Sequence, residues 1–252
     1  MIPRFFCALN GVNPESIDAT LRVTDITELP PRRRVVTAPT IRHGLRLLSR
    51  VRESLTIRIR FLIAQYDPAR RRDLLQKLHA LADPGGILTT SDRPGQQLQV
   101  ECDTLPMLTA LCWSDEISIE FTAYAVPFWE YAEETRVSSD EGTFLLLPGD
   151  AEEAPVSCEV TNQGAAPLTT LRLVCGDTQM CFEGLSIAPG DVFRLSVENG
   201  LLRAESGGES LLMHRTGDSD DLLLADCGMD AGISATGDQI VTAVFHARGR
   251  LL

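Results

Sequence analysis

The chain has 252 residues but only two tryptophans, three tyrosines and one lysine, Lys77. Beyond Tyr131 there is no tryptophan or tyrosine at all, which removes the usual stacking platform of a sugar site from the second half. No apolar run approaches the roughly eighteen residues of a membrane span. The start, MIPRFFCALNGVNPESID, has no long apolar stretch followed by small residues, so it does not read as a secretion signal, and cytoplasmic synthesis is expected. The seven cysteines include no Cys-x-x-Cys pair, and most sit inside apolar strand patterns. They are expected to be buried and reduced, with a Cys175–Cys181 bridge across a hairpin as the one alternative. The four histidines, His43, His79, His214 and His246, form no HxxxH or HExxH spacing, and no zinc site is expected. Walker, GxGxxG and Gly-x-Ser-x-Gly patterns are also missing. No catalytic residue, cofactor or metal is expected, and the chain does not read as an enzyme.

Charge is present but unevenly placed. Residues 1–136 hold 17 basic and 17 acidic residues, a net of zero; residues 137–252 hold 6 and 18, a net of −12. The second half therefore carries the whole excess, which suits two domains and argues against nucleic-acid binding by the second. Asp218-Ser219-Asp220-Asp221 places oxygens at spacings that suit calcium, but it lacks the glycine and terminal glutamate of an EF-hand loop and reads as solvated charge.

The clearest local signal is Leu55–Ile63, where Leu55, Ile57, Ile59, Phe61 and Ile63 alternate with other residues at the period of a strand. Asp67-Pro68 then gives an N-cap and a first-turn proline. Leu74, Leu75, Leu78 and Leu81 share one helical face, and Gly85-Gly86 ends the helix. Strands are expected at Ile87–Thr90, Leu98–Glu101, Leu108–Trp113 and Ile117–Ala125, after earlier ones at Arg4–Leu9 and Ser16–Ile26. Between these lies Leu29–Ser54, an extended arm opening with Pro30-Pro31-Arg32-Arg33-Arg34 and holding His43; such arms serve function or assembly. The arginines suit an acidic partner, a phosphate or plain solvent. Arg70-Arg71-Arg72 reads as the outer face of the helix, open to solvent or a neighbour. Pro127-Phe128-Trp129 reads as packing at a domain junction.

Past a polar linker at 133–142 the pattern changes. Short strands recur at Thr143–Leu147, Val156–Asn162, Thr170–Val174, Gln179–Phe182, Val192–Val197, Leu201–Glu205, Ser210–Met213, Leu222–Ala225 and Ile240–His246, with turn signals between them, Asn199-Gly200 foremost. Phe144, Phe182, Phe193 and Phe245 fall inside these patterns and are expected in the core. The fold class is mainly β: an N-terminal α+β domain, a β-sheet with one helix (1–132), then the linker (133–142) and a C-terminal antiparallel β-sandwich (143–252).

The order of these features resembles the distal tail proteins of siphovirus-type phages and prophages over nearly the whole chain. It rests on the Pro-Pro-Arg segment with the His43-Gly44 arm, the alternating strand ending Ala64-Gln65-Tyr66-Asp67, the helix with Gly85-Gly86, Ser91-Asp92-Arg93-Pro94, and the strand Ile119–Tyr124 running into Pro127-Phe128-Trp129. Gly149 to Thr161 is similar to the opening of the galectin-like sandwich such proteins carry. The closing tryptophan near a Leu-x-Pro-Gly-x-Asn turn is missing; Asp226–Asp230 and Gly237-Asp238 stand there. The resemblance implies a virion structural protein built in the host cytoplasm. It would be a homo-hexameric ring of the tail tip or baseplate, joining the tail tube protein to the tail-tip hub protein. DNA would pass through without sequence-specific binding, and there would be no membrane insertion. Interface candidates are Pro30, Pro31, Arg32, Arg33, Arg34, His43, Arg70 and Arg71, with Pro127, Phe128 and Trp129 at the junction. A carbohydrate-binding module for host attachment is the other reading.

Overall fold

The computed structural model describes residues 5–39, 45–104, 115–140, 142–198 and 201–252. The expected strand at Leu108–Trp113, the Asn199-Gly200 turn, Cys112 and His43 lie outside these residues. The chain divides into two compact units, Met1–Trp129 and Glu130–Leu252.

The first unit contains strands β1 (Cys7–Leu9), β2 (Leu21–Glu28), β3 (Arg32–Pro39) and β4 (Leu45–Ile63), helix α1 (Pro68–Ala82), and strands β5 (Gly86–Thr90), β6 (Gln96–Thr104) and β7 (Asp115–Ala123). The sheet order is β1-β5-β6-β7-β4-β2, with antiparallel pairing between neighbours. The alternation in β4 translates directly into burial: Leu55, Ile57, Ile59, Phe61 and Ile63 are all buried, opposite Ile117, Ile119, Phe121 and Ala123 of β7. Between them on the other face, Arg58 donates to Glu120 across the strands at 2.8 Å.

Helix α1 forms where its signals place it. Asp67 Oδ1 accepts from Ala69 N at 2.8 Å, capping the first turn. Leu74, Leu78 and Ala82 are buried, and Leu78, Leu81 and Ala82 meet Ile59, Phe61 and Phe121 around a small apolar cavity. Gly85 (φ +64°) and Gly86 (φ +128°) reverse the chain, and a Cβ on Gly85 would sit 2.4 Å from the Val100 carbonyl oxygen. Asn10 completes that turn, accepting from Ile87 N at 2.9 Å and donating to the Gly85 carbonyl at 3.0 Å.

The second unit is a sandwich. After β8 (Trp129–Tyr131) come β9 (Thr135–Ser138), β10 (Phe144–Leu146), β11 (Glu153–Pro155), β12 (Ser157–Asn162), β13 (Leu168–Cys175), β14 (Thr178–Ile187), β15 (Val192–Glu198), β16 (Leu201–Ser206), β17 (Glu209–Ser210), β18 (Leu224–Asp226), β19 (Asp230–Gly237), β20 (Val241–Ala247) and β21 (Arg250–Leu251). One sheet has the order β10-β19-β13-β14, the other β17-β16-β15-β12-β20-β9, and β11 pairs β18. Both sheets feed one apolar core, in which Phe182 and Phe193 meet edge to face at 4.9 Å.

Two expectations change, and one alternative falls away. The stretch 133–142 is not a free linker: β9 joins the larger sheet, with Arg136 opposite His246. Glu134 anchors it, 2.9 Å from Arg136 and 3.0 Å from His246. Phe144 is not a core residue but 62% exposed, because the inward position of β10 belongs to Leu145. No Cys175–Cys181 bridge forms, since Cys175 faces Thr178 and Cys181 faces Arg172 in the β13–β14 register. Burial pushes the Cys175 thiol up to about 12, as it does Cys7.

Leu78→Ala is expected to cost about 2–5 kcal/mol, read as a lower unfolding midpoint in denaturant. Burial opposes the charge on Glu134, but the His246 and Arg136 hydrogen bonds outweigh it and hold the carboxyl below its ordinary 4.5. A carboxyl depressed by folding stabilises fully above its unfolded value, and that contribution is lost as pH falls through its folded value. Thermal melts should therefore show Glu134→Gln losing less stability than the parent as pH drops below 4.5.

Candidate functional site: an arginine-rich hairpin on the first unit

β4 is 19 residues long, more than the sheet uses. Its second part, from Leu55, pairs with β2 and β7. Its first part pairs only with β3, in an antiparallel hairpin running from Arg32↔Ser54 to Pro39↔Leu45. The register shifts between Arg32 and Arg33 and again between Val36 and Thr37. Such bulges increase local twist and turn a ribbon away from a flat sheet. The expected loop-like arm is thus a β-ribbon, which the β-branched Val35, Val36, Thr37 and Val51 favour.

The ribbon has no buried face along its described outer part. Val35 and Val36 are adjacent, so they point to opposite faces, yet they are 53% and 42% exposed; Val51 is 45% exposed. Arg32, Arg33 and Arg34 are exposed on β3. Arg34 reaches Glu53 at 3.5 Å, with both side chains open to solvent, a pair of little energetic weight. A two-stranded ribbon alone is marginal in water. This one is held by the continuity of β4 with the sheet.

At its base the ribbon meets the end of the unit. The Arg52 guanidinium lies 5.1 Å from the Phe128 ring centre. The Arg93 guanidinium lies 5.3 Å from the buried Trp129 ring and donates to Glu28 Oε2 at 2.9 Å. Trp129 Nε1 donates to the same oxygen at 3.1 Å. Glu28 thereby ties the end of β2 to the last residue of the unit, and each ring carries a cation.

Of the sequence-derived candidates, Pro30, Arg32, Arg33 and Arg34 are exposed and Pro31 is half-buried. Arg70 is exposed on α1, 3.9 Å from Asp67. Arg71 is only 6% exposed, so the helical arginine triplet presents Arg70 and Arg72 outward and turns Arg71 inward. The 100° step of a helix requires that one of three consecutive residues face differently. Pro127 and Trp129 are buried and Phe128 half-buried, which makes them packing residues of the first unit where the chain leaves it. Sequence reasoning did not single out Glu28, Val35, Val36 or Val51, and it read Arg93 only as part of the Ser91-Asp92-Arg93-Pro94 turn. The valines carried a legible sign, since they flank the arginines in a strand pattern. Glu28 and Arg93 lie 65 residues apart and carried none. The acidic run 218–221 is a tied loop: Arg215 donates to the Asp220 carbonyl at 2.8 Å and to Asp221 at 3.2 Å.

No protein family matches the chain. No curated protein sequence matches it either. Solved structures do, and the class they define is that of phage tail-hub and baseplate proteins, the same one to which the sequence resemblance points. The Dit (gp 19.1) protein of phage SPP1, described as a paradigm of the hub adsorption apparatus of phages infecting Gram-positive hosts, superposes with a TM-score of 0.73. That match covers 98% of this chain and 99% of that one at 12% identity. A chain of the phage P2 baseplate in its activated conformation with Ca matches at TM-score 0.51 and 8% identity, over 99% and 98% of the two chains. The corresponding baseplate with Sr gives 0.51 and 8%, over 97% of each. At such identities the likeness is one of fold.

Glu28→Ala would leave the buried Trp129 N–H without its acceptor and Arg93 without its carboxylate. A loss of about 1–3 kcal/mol is expected, measured by denaturant unfolding.

Proposed function

We propose that the protein is a structural component of a phage tail tip or baseplate, a hub ring of six copies that joins the tail tube protein to the tip hub protein around the DNA channel. The first unit builds the ring, the second is a galectin-like sandwich, and the assembled protein resides in the virion tail. The observation that carries this reading is the whole-chain likeness in fold to the SPP1 hub protein, both units included. The hairpin supports it physically. An exposed ribbon with valines on both faces lacks cover within its own unit, and ring symmetry supplies a neighbour at every position. Pro30–Arg34 and Arg70 are the proposed contact residues.

The role is structural and not catalytic. Recognition of sugars finds no cluster of exposed rings to rest on: of the phenylalanines of the second unit, Phe182, Phe193 and Phe245 are buried in its core and Phe144 is exposed. In native mass measurements the purified chain should form an assembly of six 27.6 kDa subunits, with a ring in electron micrographs. Val35→Asp combined with Val36→Asp should shift it toward monomer while leaving the circular dichroism spectrum unchanged. A monomer at every concentration would overturn the ring.

A further inference from the structure

We propose that the arginine-rich hairpin docks on an acidic, apolar patch at the open edge of the second unit of a neighbouring copy of this chain. The proposal rests on the ring reading above and names the surface that receives the hairpin.

The donor side is defined by charge and exposure. Arg32 to Ser54 contains seven arginines and one glutamate, a net of +6 within a chain whose total is −12. Its exposed valines lie on both faces, and among the described residues its outer strand β3 pairs only with β4. Its complement must be acidic, partly apolar and able to meet a strand edge.

The second unit holds such a surface. The two edges of its four-stranded sheet are treated differently. Along β14 the chain seals its own edge: Thr216 N donates to the Cys181 carbonyl at 2.9 Å, and Asp220 N to the Gln179 carbonyl at 2.8 Å. At the other edge, β10 pairs among the described residues only with β19 and turns Phe144 and Leu146 outward, 62% and 54% exposed. An unsealed edge carrying apolar side chains is a template for another strand. Carboxylates border it. Asp230 lies opposite Leu146 in the register, and Asp226 lies opposite Glu153 one turn earlier. Glu152, Glu153, Asp226 and Asp230 are exposed, and none has a cationic partner among the described residues. Apolar edge and exposed acid match the exposed valines and the exposed Arg32 and Arg33 of the ribbon.

A second copy is the occupant this favours. The contact joins two different patches of one chain, so it is heterologous, the type that repeats head to tail around a ring. DNA would satisfy the arginines but not valines on both faces of the ribbon.

The test uses the full chain and reads its assembly by sedimentation against concentration. Arg32→Glu with Arg33→Glu should raise the concentration needed for half-assembly about tenfold or more, and so should Glu152→Arg with Glu153→Arg. All four positions are exposed, and a thermal melt monitors the fold of each variant. Combining the two reversals should recover assembly to within about threefold of the parent, because the charges again oppose each other. If only the hairpin reversal weakens assembly, the hairpin contacts a neighbour elsewhere; this docking is overturned and the ring reading stands. A chain that is monomeric throughout overturns both. Should hairpin reversal abolish binding of duplex DNA while leaving assembly unchanged, the hairpin serves nucleic acid and the proposal fails.

Discussion

The first unit depends on the alternating burial of one strand. From Leu55 to Ile63, β4 places every second side chain against α1 and the core and pairs with a neighbour on each edge. Those five buried side chains contribute about 1.5–3 kcal/mol each in apolar burial. Because the strand is continuous, that anchoring extends into its first part, where Val35, Val36 and Val51 of the ribbon with β3 stay exposed. The cost of holding an exposed, positively charged ribbon in a defined direction is met by the packing of residues a few positions along the same strand. The Arg52–Phe128 contact and the Glu28–Arg93–Trp129 group brace the ribbon's base, where the core gives way to solvent.

The second unit solves a different problem. Both of its sheets share one core, so each strand needs inward apolar residues at a period of two and is free outward. The chain uses that freedom for acid. It also closes one sheet edge with its own loop and leaves the other to Phe144 and Leu146. Natural sheets guard their edges when nothing is meant to pair with them. The asymmetry between these two edges, together with the opposite charges of the hairpin and the sandwich, is the physical basis of the proposed contact between copies.

Much of this was legible in the sequence because it rests on local rules. The alternation Leu55–Ile63, the Asp67-Pro68 start of α1, its Leu74/Leu78 face and the Gly85-Gly86 stop are each set by neighbours within a turn or a strand. The strand at Thr178 runs on to Ile187 past an irregularity at Gly184 (φ +70°), where the pairing skips from Glu183 to Ile187, and a sequence reading stops at Phe182. β19 escaped notice because two of its three inward positions, Ala231 and Ala235, are small, leaving Ile233 as the one strongly apolar side chain of the pattern. β9 looked like linker because its place in the sheet is set by β20, more than a hundred residues on.

By itself, then, the sequence determined the class of fold, the single helix, most strands, the acidic second half and the order of parts that resembles phage distal tail proteins. These follow from periodicity, capping and composition, which act over a few residues. Only the tertiary structure decided which side chains are outside. It turned Arg71 inward and Phe144 outward, made the arm a ribbon exposed on both faces, and gathered Glu28, Arg93 and Trp129 from three distant segments. Exposure and long-range pairing depend on what the rest of the chain places alongside, and no local pattern encodes that.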